Sequence, residues 1–204
     1  ITKNSNFHSL SQKTFDDLII YLILGIIIGG RLGYVIFYNF QYYMINPFEV
    51  LMIWKGGMSF HGGLIGIIMT CLIFGKANKI NYLEITDTIA CAAPIGLFFG
   101  RIANFINGEL YGKASTLPWS FIFPNGGNIS RHPSQLYEAL LEGIILFIII
   151  NFFALKNKNI LKIGIISSLF LIHYSILRII GEVFREPDAQ LGYFIEFISM
   201  GTSL

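Results

Sequence analysis

The run LIIYLILGIIIGGRLGYVIFYNF, Leu18–Phe40, decides the fold class. At 1.5 Å per residue its 23 residues make a helix long enough to cross the roughly 30 Å hydrocarbon core of a bilayer. Glycines at 25, 29, 30 and 33 give it the small-residue spacing that lets transmembrane helices approach closely. Arg31 interrupts it, and a cation at that depth needs a partner.

Working outward, the same pattern recurs at Met58–Gly75, Leu83–Phe105, Ser134–Leu155 and Ile163–Phe184. Leu191–Leu204 starts another apolar segment but stops after 14 residues, too few to cross. The expected fold is an all-α, polytopic integral membrane protein with five full spans, a truncated C-terminal one and a single membrane-embedded domain over residues 1–204. Composition agrees, with 54% hydrophobic and only 13% charged residues, against about 25% charged in globular proteins. A net charge of +2 is too small to argue for nucleic acid. Cys71 and Cys91 sit inside apolar blocks without CxxC spacing and read as packing residues; no metal motif accompanies them.

The connections alternate in charge. Residues 1–17, 76–82 and 156–162 carry seven lysines, whereas the opposite set carries four cations, Lys55, Lys113, Arg131 and Arg185. The positive-inside rule makes the first set cytoplasmic and turns the polar loop 106–133 outward. Glu84 and Asp87 lie near the N-terminus of the third span, where its dipole favours them, and Pro94 interrupts it.

Polar residues concentrate near the outward ends. GRIANFINGELYG, Gly100–Gly112, turns from apolar to polar within one helical turn and sets Arg101, Asn104, Asn107 and Glu109 among glycines. Such equipment where hydrocarbon meets water suggests a site for a polar headgroup. His61 stands beside Gly62, Gly63 and Gly66, which permit close backbone approach. Arg178 and Glu182 are four apart on one helix face, so they are either an internal ion pair or part of that site. Arg31 likewise has two readings, as a site residue or as a cap on a neighbour's carbonyls. His173, among apolar neighbours, reads as a satisfied core histidine. Intramembrane charges also mark transport pathways, so a membrane transporter is the alternative class.

Five motifs in order carry a family resemblance: HGGLIG at 61–66, GRIANFINGELYG at 100–112, RHPSQLYE at 131–138, RIIGE at 178–182 running into REPDAQLG at 185–192, and ISMG at 198–201. Over essentially its whole length the chain resembles prolipoprotein diacylglyceryl transferase of bacterial inner membranes. The resemblance implies a seven-helix membrane enzyme that moves diacylglyceryl from phosphatidylglycerol to the lipobox cysteine of a prolipoprotein, without cofactor or metal. Members of that family have one more helix ahead of the first span, bearing an arginine- and aromatic-rich motif with a functional tyrosine; nothing before Leu18 matches it, so that helix is expected to be missing here, and the last helix to be cut short after ISMG. By similarity, His61, Arg101, Asn104, Glu109, Gly112, Arg178 and Glu182 match positions used for activity.

The chemistry is consistent with those residue types. A free thiol has a pKa of about 8.5 and gains from a nearby base or cationic field; His61 is the candidate base. A leaving phosphate needs charge-assisted donors, for which guanidinium forks suit. Arg101 and Arg178 would hold it, Asn104 would fix the headgroup, and Glu109 and Glu182 would orient the arginines. The expected partners are phosphatidylglycerol, lipobox peptides and surrounding membrane lipids.

Overall fold

A computed structural model describes residues 11–156 and 162–186, together with the backbone of Tyr193–Ile195 and Met200–Gly201. Among the described residues five helices are long and apolar enough to cross a membrane: Gln12–Phe37 (α1), Phe60–Asn78 (α3), Tyr82–Asn107 (α4), the continuous run Ser134–Lys156, and Ile165–Glu182 (α7). Four of them begin and end within about three residues of the sequence expectation. α1 starts six residues earlier than the apolar run does. Ser11 caps it by accepting from the Thr14 N–H at 3.1 Å, and Gln12 bonds to Asp16 at 3.0 Å, so a polar first turn precedes the apolar body.

The chain divides into two compact units, Ile1–Thr86 and Asp87–Leu204. In the first, α1 and α3 pack through glycines. A Cβ on Gly33 would lie 2.7 Å from the Gly62 Cα, and one on Gly29 would lie 2.9 Å from the Gly66 Cα, so both backbones need a bare surface there. Between these helices the short α2 (Phe40–Ile45) and two 3₁₀ turns, Pro47–Leu51 and Ile53–Lys55, form the connection.

Arg31 resolves into a carbonyl cap. Only 4% exposed, it donates to the carbonyls of Glu49, Val50, Met52, Gly56 and Gly57 at 2.5–3.2 Å. Its guanidinium also lies 5.2 Å from the Tyr43 ring centre. A buried cation is tolerated here because every face of its planar fork meets an acceptor. Arg31→Met should therefore loosen residues 47–57. Hydrogen exchange at the Met52, Lys55 and Gly56 amides, which close the 3₁₀ turns, is expected to speed roughly tenfold or more. Unchanged exchange would show that the turns hold without the cap.

In the second unit Ala90, Cys91, Leu146, Ile150 and Ile166 form the buried core, with Leu97, Phe170 and Leu177 packed against it. Cys71 and Cys91 are buried free thiols. His173, half-buried, bonds through Nδ1 to the Leu169 carbonyl at 2.8 Å, a satisfied histidine though not one of the core cluster. Pro94 gives no N–H to the turn before it. Close by, Asn151 Nδ2 donates to the Cys91 carbonyl at 3.1 Å and so ties the two helices together.

Asp87 serves a different helix from the one the sequence suggests. Rather than its own N-terminus, it caps α7: Oδ2 accepts from the Gly164 N–H and Oδ1 from the Ser167 N–H, both at 2.7 Å. Gly164 precedes Ile165 with φ +90° and has no side chain with which to cap α7. A carboxylate across the first N–H groups of a helix satisfies orphan donors and complements the dipole. Asp87→Ala should lower stability by about 1–2 kcal/mol, read as a lower thermal midpoint in detergent. An unchanged midpoint would mean that the cap carries little of the fold's stability.

The polar loop after α4 contains a two-residue antiparallel pair, Phe121–Ile122 (β1) with Ser130–Arg131 (β2). Most of the expected C-terminal apolar segment, and the motif residues 187–192, lie outside the described residues. Within that segment Tyr193–Ile195 (β3) and Met200–Gly201 (β4) pair as antiparallel strands and not as helical turns. Tyr, Phe and Ile at 193–195 all favour extended backbone.

A buried carboxylate and arginine cluster

The candidate site lies in the second unit, where α4, the fourth transmembrane run and α7 converge. That fourth run is not uniformly α-helical. Ser134–Glu138 (α5) passes into a π segment, Ala139–Ile145, and then into Leu146–Lys156 (α6). The wider turn carries Glu142, with Glu138 immediately before it. Gly143 makes room for α4, since a Cβ there would lie 2.6 Å from the Phe98 Cβ.

Arg101 on α4 meets both carboxylates. Its Nη1 is 2.8 Å from Glu138 Oε2, an ionic contact lacking the alignment of a hydrogen bond. Its Nε and Nη2 both bond to Glu142 Oε2, at 3.2 and 3.0 Å. From α7, Arg178 Nη1 bonds to Glu138 Oε1 at 2.7 Å and reaches Glu142 Oε1 at 3.5 Å, while Nη2 pairs with Glu182 at 2.7 Å. The cluster thus holds two cations and three carboxylates. Glu138 and Glu142 side chains are wholly buried, whereas Arg101 and Arg178 keep 14% and 19% exposure. The exposed surface of the cluster therefore belongs mainly to the two arginine side chains, with the carboxylates of Glu138 and Glu142 buried. Removing one partner of such a network strands a buried charge, at about 3–5 kcal/mol.

The expected site residues divide accordingly. Arg101 and Arg178 meet in the cluster, and Glu182 pairs with Arg178 across one helical turn at 2.7 Å. Asn104 stands one turn beyond Arg101 on α4, half-buried. Glu109 departs from expectation: its exposed side chain stands outside the arginine cluster, and its backbone carbonyl is the group used, accepting from Gln135 Nε2 at 2.6 Å. The physical reason is position, because Glu109 follows the end of α4 on a turn that leads away from the helix axis. Gly112 is buried against backbone, where its N–H donates to the His132 carbonyl at 2.9 Å and a Cβ would lie 2.6 Å from that oxygen. His61 belongs to the first unit, exposed on the first turn of α3 after Ser59, which caps that helix by accepting from the Gly62 N–H at 3.2 Å.

Glu138 and Glu142 are the residues the sequence reading missed. Two carboxylates four apart in an otherwise apolar span were the available signal. Two intramembrane arginines facing only Glu182 already demanded more negative charge.

In the polar loop after α4, Arg131 lies 4.7 Å over the Tyr111 ring and donates to the Gly112 and Gly126 carbonyls, at 3.3 and 3.2 Å. His132 Nδ1 is 3.3 Å from the Tyr137 hydroxyl, which accepts from Trp119 Nε1 at 2.8 Å. Burial, helped by the Lys113 ammonium, holds the His132 imidazole below the usual histidine range.

Taken together, the helices and the cluster define a polytopic membrane protein with an ion-pair site built across three of its helices. A family model for prolipoprotein diacylglyceryl transferase matches residues 1–204. Phosphatidylglycerol–prolipoprotein diacylglyceryl transferases from Rickettsia bellii and Rickettsia akari are 51% and 49% identical to this chain over 195 residues, covering 96% of it and 74% and 75% of their own lengths. The Rhodospirillum rubrum protein of the same name is 48% identical over 209 residues, with 100% and 75% covered. The chain belongs to the prolipoprotein diacylglyceryl transferase family. That membership does not favour the transporter reading.

Proposed function

We propose that the protein transfers the diacylglyceryl group of phosphatidylglycerol to the lipobox cysteine of a prolipoprotein, acting as one membrane-embedded transferase. The observation that carries the site assignment is that the buried cluster's remaining exposure belongs mainly to Arg101 and Arg178. Arg101 and Arg178 are held in fixed orientation by carboxylates beneath them, and their exposed edges offer charge-assisted donors to a phosphate. In the reaction the cysteine sulfur attacks the glyceryl CH2 carbon. A C–S bond forms, the C–O bond to phosphate breaks with its electron pair on oxygen, and glycerol phosphate leaves. The thiol proton passes to His61 and then to water. Asn104 orients the headgroup, and Glu182, Glu138 and Glu142 hold the arginines against the growing charge on the phosphate.

The test is incorporation of labelled diacylglyceryl from phosphatidylglycerol vesicles into a lipobox peptide, with a Cys→Ser peptide as control. Label in a thioether on the cysteine peptide alone is expected. Label exchange between vesicles with no adduct would overturn the reading.

We place the protein in the bacterial inner membrane with the cluster toward the periplasm, because the cations divide seven to four across the connections. An impermeant thiol reagent on intact cells should label Lys113→Cys and spare Lys79→Cys. The opposite pattern would invert the orientation.

A further inference from the structure

Gln135 is wholly buried, and its side-chain oxygen has no hydrogen-bond partner among the described residues. Its amide orientation is fixed, because Nε2 donates to the Glu109 carbonyl at 2.6 Å and a flipped amide would set two acceptors against each other. Beside it, Ser134 Oγ donates to the Leu110 carbonyl at 3.1 Å, so the first turn of α5 is tied at two points to the loop that follows Arg101's helix. A buried, rigidly held acceptor without a donor is a rare and unfavourable arrangement, and a ligand hydroxyl would relieve it. Gln135 also lies three residues before Glu138, which contacts both arginines. Side chains spaced i, i+3 on a helix are about 5–6 Å apart, within the span of a three-carbon polyol measured from its phosphate.

Resting on the transferase reading above, we infer that Gln135 Oε1 accepts a hydrogen bond from a hydroxyl of the head-group glycerol, and so selects a polyol phosphate as the leaving group. Gln135 is then a specificity residue that touches the departing half of the lipid. An ordered water filling the same position is the rival occupant.

The experiment compares two donor lipids in phosphatidylcholine proteoliposomes, phosphatidylglycerol and phosphatidylpropanol. The reacting bonds are the same in both, and only the second lacks head-group hydroxyls. Wild-type protein should prefer phosphatidylglycerol by about ten- to a hundredfold in kcat/KM, the effect of leaving a buried acceptor unpaired. Gln135→Met, which removes the acceptor at similar length, should use the two lipids within about twofold of each other. Equal use of both lipids by the wild type overturns the inference even if the methionine variant fails to fold, and so does an undiminished preference in Gln135→Met. Transfer from neither lipid would instead remove the transferase reading itself.

Discussion

His61→Gln is expected to slow diacylglyceryl transfer by about 10²–10⁴-fold, the usual contribution of a general base. The structure makes this substitution informative. His61 is exposed on the first turn of α3, its ring stands edge-on to Phe60, and Ser59 rather than the imidazole caps the helix. Stability should stay within about 0.5 kcal/mol, as for other surface changes away from special contacts. Glutamine keeps hydrogen-bonding capacity toward a headgroup, so the deficit isolates proton transfer. It should shrink as assay pH rises toward the thiol's own pKa of about 8.5, because thiolate then forms without help. A deficit that stays constant from about pH 6.5 to 9 would reassign His61 to binding.

Arg101→Lys should lose about 10²–10³-fold in turnover although the charge is kept, the magnitude typical of removing one preorganised charge-stabilising group. All three guanidinium nitrogens are engaged, with Nη1 facing Glu138 and Nε and Nη2 on Glu142. A single ammonium cannot face both carboxylates and also present a planar edge to a phosphate. The rival view is that Arg101 merely anchors the end of α4, where lysine would reach the interface equally well. Expression level, thermal midpoint and turnover measured together separate the two. Near-normal turnover in a well-folded lysine variant would defeat the phosphate clamp, while a collapse of folding alone would make the cluster purely architectural.

Membrane embedding and the ends of four helices were legible in the chain, because bilayer thickness and helical rise leave little freedom to an apolar run of about 20 residues. Within the motif at Gly100–Gly112, the need of Arg101 for partners was legible too, since a cation inside the hydrocarbon edge cannot stay unpaired. What the chain alone left open was the partner of each charge. Arg31 had two readings, and only packing showed five carbonyls from one connection converging on it. Asp87 looked like a cap for its own helix and proved to cap one that starts 78 residues later at Ile165.

The same holds for the site. Sequence alone determined that Arg101 and Arg178 lie within the membrane and need counter-charges, because an unpaired cation in hydrocarbon is too unfavourable to persist. Only the tertiary structure decided that Glu138 and Glu142 supply them and that Glu109 does not. Ion pairing depends on distances of about 3 Å between side chains from different helices. Those distances are set by how the helices pack, by a π turn that carries Glu142 and by a bare glycine against Phe98, none of which periodicity encodes.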